Sequence, residues 1–136
     1  MASLKGKRIF IVEDNLENRQ IMQLALAPSE AILSFDIWGA QTVIHLLARW
    51  PVDLVLLDLM FPRNITGYDI FDQIRAEPRF CQVPIVAVSA SDISSAVPKC
   101  KAKGFAGFIP KPVDIDTFPD QLTRVLQGEE VWTTQH

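Results

Sequence analysis

A chain of 136 residues with 49% hydrophobic content can fill one core and is too short for two. Its formal net charge of −3, from 13 basic and 16 acidic residues with no basic cluster, argues against a nucleic-acid surface or a polybasic membrane anchor. Cys81 and Cys100 fit neither a paired metal-ligand spacing nor a secreted disulfide framework, and no stretch reads as a signal peptide or bilayer span, so reduced thiols in a cytoplasmic protein are expected.

In chain order, Ile9-Phe10-Ile11-Val12 is an unbroken apolar run, the pattern of a strand covered on both faces, and it stops at Glu13 and Asp14. Ile21, Leu24 and Ala25 then share one helical face ahead of Pro28. From Ile32 to Trp38, apolar Leu33, Phe35 and Ile37 alternate with Ser34, Asp36 and Trp38, which predicts a partly covered strand at a sheet edge. Val43, Leu46, Leu47 and Trp50 predict a second helix closed by Pro51. Leu54-Val55-Leu56-Leu57 is another buried strand, and it stops at Asp58.

Ile70, Phe71 and Ile74 predict a third helix before Pro78. The strand from Val83 to Val88 carries Pro84 near its start, where a missing N–H is best tolerated. Ser94 to Lys103 reads as a helix that Pro98 either starts or disturbs in its first turn. Gly107-Phe108-Ile109 is a short fifth strand, and Phe118, Leu122 and Val125 mark a last amphipathic helix before Gly128. Five strand–helix repeats predict an α/β fold, a flavodoxin-like (βα)5 doubly wound parallel sheet. With the alternating strand at the edge, the order is 2-1-3-4-5, whose switch point lies between strands one and three. The expectation is one domain over 1–136, with its core over about 7–127 and a short tail from 128 to 136.

Ligands bind beyond the carboxyl ends of strands at a switch point, and there Glu13, Asp14 and Asp58 converge. Two carboxylates about 4 Å apart repel by roughly 4 kcal/mol at an effective dielectric near 20, so positive charge is required. Lys111 after the fifth strand supplies one, and a hard divalent cation such as Mg²⁺ or Mn²⁺ fits the oxygen set and brings the total to zero. A phosphoryl group would be held by that cation, Lys111 and the Ser89 hydroxyl, with Asp58 as the attacking carboxylate. Singly, Asp14 and Asp58 read as helix caps or turn formers, Ser89 as a turn residue, Lys111 as a solvated charge and Phe108 as a core aromatic. Convergence from four strand ends favours a site over four coincidences.

Taken together, Ile11-Val12-Glu13-Asp14-Asn15, Leu57-Asp58-Leu59-Met60-Phe61-Pro62, Val88-Ser89-Ala90 and Lys111-Pro112 make the chain resemble the response-regulator receiver domains of two-component signalling, from Lys7 to about Gln127. The resemblance implies Asp58 as phosphoacceptor, Asp14 as direct metal ligand, Glu13 as a ligand through water, and Met60 as donor of a backbone carbonyl. It implies Ser89 and Phe108 as switch residues, Lys111 as the site ammonium, and a cis bond before Pro112. The implied partners are a sensor histidine kinase or phosphotransfer protein and a downstream protein target, with neither nucleic acid nor membrane, and phosphorylation-dependent homodimerisation stays open.

Three features depart from the family pattern: a loop from Pro62 to Gly67 that is one residue longer, Pro98 in the fourth helix, and Met60 with Ser91 at positions that tune dephosphorylation. A thioether cannot orient an attacking water, so a long-lived acyl phosphate is expected. With only Gly128 to His136 after the last helix, the expected function is a stand-alone regulator acting through altered protein–protein contacts and catalysing only its own phosphorylation and dephosphorylation. The alternatives are a receiver-like module that works without phosphorylation, and an aspartate-nucleophile phosphatase of the haloacid dehalogenase type, which wants a second Asp where Met60 stands.

Overall fold

The apolar runs become the centre of a parallel sheet because each is covered twice. In the computed structural model, which describes residues 3–37, 41–61 and 64–133, β1 (Arg8–Val12), β2 (Ile32–Asp36), β3 (Leu54–Leu57), β4 (Ile85–Ser89), β5 (Gly107–Pro110) and β6 (Val131–Trp132) pair in the order 2-1-3-4-5-6. Every pairing is parallel. The helices are α1 (Leu16–Leu26), α2 (Thr42–Ala48), α3 (Gly67–Ala76), α4 (Ile93–Lys103) and α5 (Phe118–Leu126).

Side chains alternate across the pleat, so Phe10, Val12, Val55, Leu57 and Ala87 join one core while Ile9, Ile11, Leu54, Leu56 and Val86 join the other. The first core takes in residues of α2, α3 and α4, and the second takes in residues of α1 and α5. Both faces of the central strands are therefore dry, which is why their sequences do not alternate. Burying each large aliphatic side chain contributes roughly 1.5–3 kcal/mol. At the edge, β2 is only partly covered, with Ile32 exposed and Asp36 buried. Asp36 there accepts a hydrogen bond from Thr42 Oγ1 (2.8 Å) and meets His45 Nδ1 (2.9 Å), tying the end of β2 to α2.

The structure corrects several expectations. The sheet has six strands, because the expected tail folds back and adds β6 beside β5. The buried face of α1 is Met22, Ala25 and Leu26, and Leu24 is exposed: with Leu, Ile and Met spread around the helix, periodicity alone selected the wrong neighbour. Trp50 lies beyond α2, and its exposed ring packs edge-on against buried Phe80 at 5.3 Å. The predicted second strand ends at Asp36, and Trp38 lies outside the described residues, as do Pro62 and Arg63 of the lengthened loop.

Pro98 neither starts α4 nor sits in its first turn. It is the sixth of eleven residues, behind Asp92 at the N-cap position, and its ring faces solvent. The missing N–H removes one bond to the Ser94 carbonyl, which water can reach. Pro98→Ala is expected to stabilise the protein by up to ~3 kcal/mol in urea unfolding, since an exposed helix interior prefers alanine by about that amount.

The two cysteines are free, Cys81 exposed and Cys100 on the buried face of α4. Burial pushes the Cys100 thiol up to about 11, against the smaller opposing effects of the Tyr68 hydrogen bond and the Lys99 charge. Iodoacetamide at pH 8 is expected to modify Cys81 in the native protein and to spare Cys100 until the chain unfolds. Between pH 9.0 and about 11 the unfolded thiol loses its proton while the native thiol keeps it, so this group subtracts stability as pH rises across that window.

Candidate functional site

The site is assembled by strand register. Val12 pairs with Leu57, and Asp58 N–H donates to the Val12 carbonyl at 3.1 Å, which sets Glu13 and Asp14 beside Asp58. Ser89 pairs with Pro110, and Lys111 N–H donates to the Ser89 carbonyl at 3.0 Å, which carries the ends of β4 and β5 to the same crevice. The Lys111–Pro112 peptide is cis. Each of Glu13, Asp14 and Asp58 offers a carboxylate oxygen within 4.8 Å of the other two.

Lys111 Nζ lies between two of these acids, donating to Glu13 Oε1 at 2.7 Å and to Asp58 Oδ2 at 2.9 Å. The other Asp58 oxygen, Oδ1, accepts from the backbone N–H of Leu59 at 2.7 Å and, at 3.4 Å, that of Met60. Glu13 Oε2 accepts from Asn15 N–H at 3.2 Å. Asn15 also caps α1, its Oδ1 accepting from Asn18 N–H at 3.0 Å.

Burial raises the Glu13 carboxyl above its ordinary 4.5, outweighing the Lys111 hydrogen bond, and the Asp58 charge adds to the rise. Burial works against the Lys111 charge, but hydrogen bonds and charge from Glu13 and Asp58 overcome it and raise its pKa. One ammonium is thus shared by two enclosed acids. It leaves the half-buried Asp14 carboxylate without a hydrogen bond or ion pair from the described residues.

Three carboxylates against one lysine leave a deficit of two positive charges in an all-oxygen site. That donor set fits a hard divalent cation, which prefers oxygen ligands and makes up the deficit.

The Ser89 side chain is buried, and its Oγ is 2.9 Å from Ser91 Oγ and accepts from Ser91 N–H at 3.2 Å. Phe108 is already fully enclosed in the core. Met60 is 65% exposed, and its backbone N–H lies beside Asp58.

The sequence marks Gly67 only as the end of the lengthened loop and says nothing of its contact with the site. A Cβ there would lie 2.1 Å from the Asp58 carbonyl oxygen, so the first turn of α3 presses directly on the backbone of the site. The available signal was Thr66-x-x-Asp69, a capping pattern that places the helix start: Thr66 Oγ1 accepts from Asp69 N–H at 3.2 Å.

The family model described as the response regulator receiver domain matches residues 9–123. The chain belongs to that family. Among curated relatives, the two-component response regulator ORR12 of Oryza sativa subsp. japonica is 25% identical over 122 residues, covering 90% of this chain and 100% of that protein. The non-phosphorylated HemR receiver domain of Leptospira biflexa superposes with a TM-score of 0.76 at 25% identity, over 96% of this chain and 98% of that one. The receiver domain of a Pseudomonas aeruginosa sensor histidine kinase, solved with magnesium coordinated in its active-site cleft, superposes with a TM-score of 0.73 at 28% identity, over 90% and 96%. The receiver fold and its place in two-component signalling are thereby settled, and no described helix is long and apolar enough to cross a membrane.

Proposed function

We propose that this receiver, acting as one domain over its 136 residues, is a stand-alone response regulator that accepts a phosphoryl group on Asp58 and signals through altered protein–protein contacts. The observation that carries the reading is Lys111 Nζ held 2.7 and 2.9 Å from Glu13 and Asp58, beside an Asp14 that has no partner among the described residues. The rice relative that this chain matches over its full length supports the stand-alone reading.

In the reaction an Asp58 carboxylate oxygen attacks phosphorus, forming a P–O bond to give an acyl phosphate. The P–N bond to a kinase or phosphotransfer histidine breaks, and the imidazole keeps the electron pair. Asp14 and Asp58, the Met60 carbonyl, and Glu13 through water are the groups to hold Mg²⁺ or Mn²⁺. When bound, that cation supplies the positive charge which lets a phosphoryl group approach the carboxylates. Lys111 binds a phosphoryl oxygen, and the amides of Leu59 and Met60 keep the aspartate oriented.

Ser89 Oγ accepts from Ser91 N–H, which leaves its own O–H to turn to a phosphoryl oxygen, and that rotation begins the passage of the change along β4 and β5 towards Phe108. With the exposed Met60 thioether at the mouth, no side chain at that position orients a hydrolytic water, so the acyl phosphate persists. The protein works in the cytoplasm, where its phosphohistidine donor is made. It turns over no substrate beyond its own aspartate, and its output is read by a downstream protein.

Intact-mass analysis after incubation with acetyl phosphate and Mg²⁺ tests the reading. One phosphoryl adduct is expected, absent without the metal and absent in Asp58→Asn. An adduct on Asp58→Asn would place the acceptor elsewhere, and a folded native chain that gains none would mark a receiver that works without phosphorylation.

A further inference from the structure

The sixth strand is only two residues long, yet it touches three elements. Val131 N–H donates to the Ala106 carbonyl and Thr133 N–H to the Phe108 carbonyl, both at 3.0 Å. Val131 is buried in the core that α5 covers, while Trp132 packs against the core that α4 covers, with Lys101 Nζ 5.2 Å from its ring centroid. Gln121 Nε2 of α5 donates to Thr133 Oγ1 at 3.1 Å.

The β5 edge is shaped for this visitor: a Cβ on Gly107 would meet the Val131 carbonyl oxygen at 2.2 Å, so the close approach depends on glycine. The fit is incomplete. Gln121 Oε1 is buried with no partner among the described residues, and turning the amide over only transfers the deficit to its nitrogen. The two-residue ladder of the resident segment is a small hold on the sheet.

We propose that the β5 edge between α4 and α5 is a strand-accepting groove whose resident, Val131–Thr133, exchanges for an extended segment of a partner protein. The groove defines that segment. It needs a β-branched residue facing α5 and an aromatic facing α4 beneath Lys101. Acidic residues precede them, since Glu129 of the resident lies 3.7 Å from Arg124. Backbone pairing supplies affinity and the two side-chain positions supply specificity. The proposal does not depend on phosphorylation, so failure of Asp58 to label leaves it standing.

Native-state amide hydrogen exchange on the intact chain is the first test. Val131 and Thr133 are expected to exchange at least tenfold faster than Leu56 and Val86, and equal rates would overturn the proposal, because the segment would then leave only on global unfolding. The second test titrates a fluorescent synthetic peptide of Gly128 to His136 onto the intact chain and onto Trp132→Ala, whose resident is weakened. The variant is expected to bind at least tenfold more tightly, with no binding of a peptide whose tryptophan is alanine. A folded Trp132→Ala protein that binds no better than the intact chain overturns it. Should that variant not fold, Val131→Thr takes its place in the same titration.

Discussion

Lys111→Met is expected to lower the rate of Asp58 phosphorylation by acetyl phosphate on the order of 100–1,000-fold, the usual loss when one preorganised donor to developing charge is removed. The same change is expected to destabilise the protein by about 3–5 kcal/mol near neutral pH, because it strands two enclosed acids that now share one ammonium. The stability cost depends on pH in a defined direction. Burial already holds the Glu13 carboxyl above its unfolded value, so the native state binds the proton that the unfolded chain has released, and this group's contribution falls as pH rises from 4.5 through the native pKa. Without Lys111 that rise is larger. The destabilisation should therefore shrink as pH is lowered towards and below 4.5, where the unfolded chain takes up the proton as well. Urea unfolding at pH 5 and pH 7 measures it, and a cost that is equal at both, or larger at pH 5, would show that Lys111 acts by packing alone.

Gly67→Ala is expected to lose at least ~3 kcal/mol, at or beyond the upper end of ordinary overpacking. The added Cβ would lie 2.1 Å from the Asp58 carbonyl oxygen and 2.8 Å from Leu59 Cα, and both are backbone, so no side chain can rotate aside. Either α3 lifts from the sheet, breaking the 2.9 Å bond from Gly67 N–H to the Leu59 carbonyl, or β3 moves with Asp58 attached. Both displace the nucleophile, and a shift near 1 Å is enough for roughly a 100-fold loss of rate. Thermal unfolding and the rate of adduct formation should fall together. A variant with normal stability and normal labelling would mean that the α3 contact is looser than the structure places it.

These two residues differ in how far the sequence disclosed them. Lys111 was legible because a strand pattern ended two residues before it and acids ended two others, so a topological rule brought the charges together. Gly67 was not, because its importance lies in a distance between two backbones that no local pattern encodes. Leu24 and Met22 show the same limit in the core: a helix with apolar residues on several sides offers more than one face, and the neighbouring sheet selects between them. Pro98 inverts the case, as a local rule against proline in helices yields where the orphaned carbonyl faces water.

The sequence by itself determined the parallel α/β sheet, the neighbour order of its first five strands and the meeting of Glu13, Asp14, Asp58 and Lys111, because periodicity and chain topology are local or combinatorial properties. Only the tertiary structure decided that Lys111 bridges Glu13 and Asp58, that Ser89 pairs with Ser91, and that Val131 and Trp132 add a sixth strand to the β5 edge. Those outcomes depend on which groups compete for a partner within about 3 Å, and that competition is settled only when distant segments are packed together.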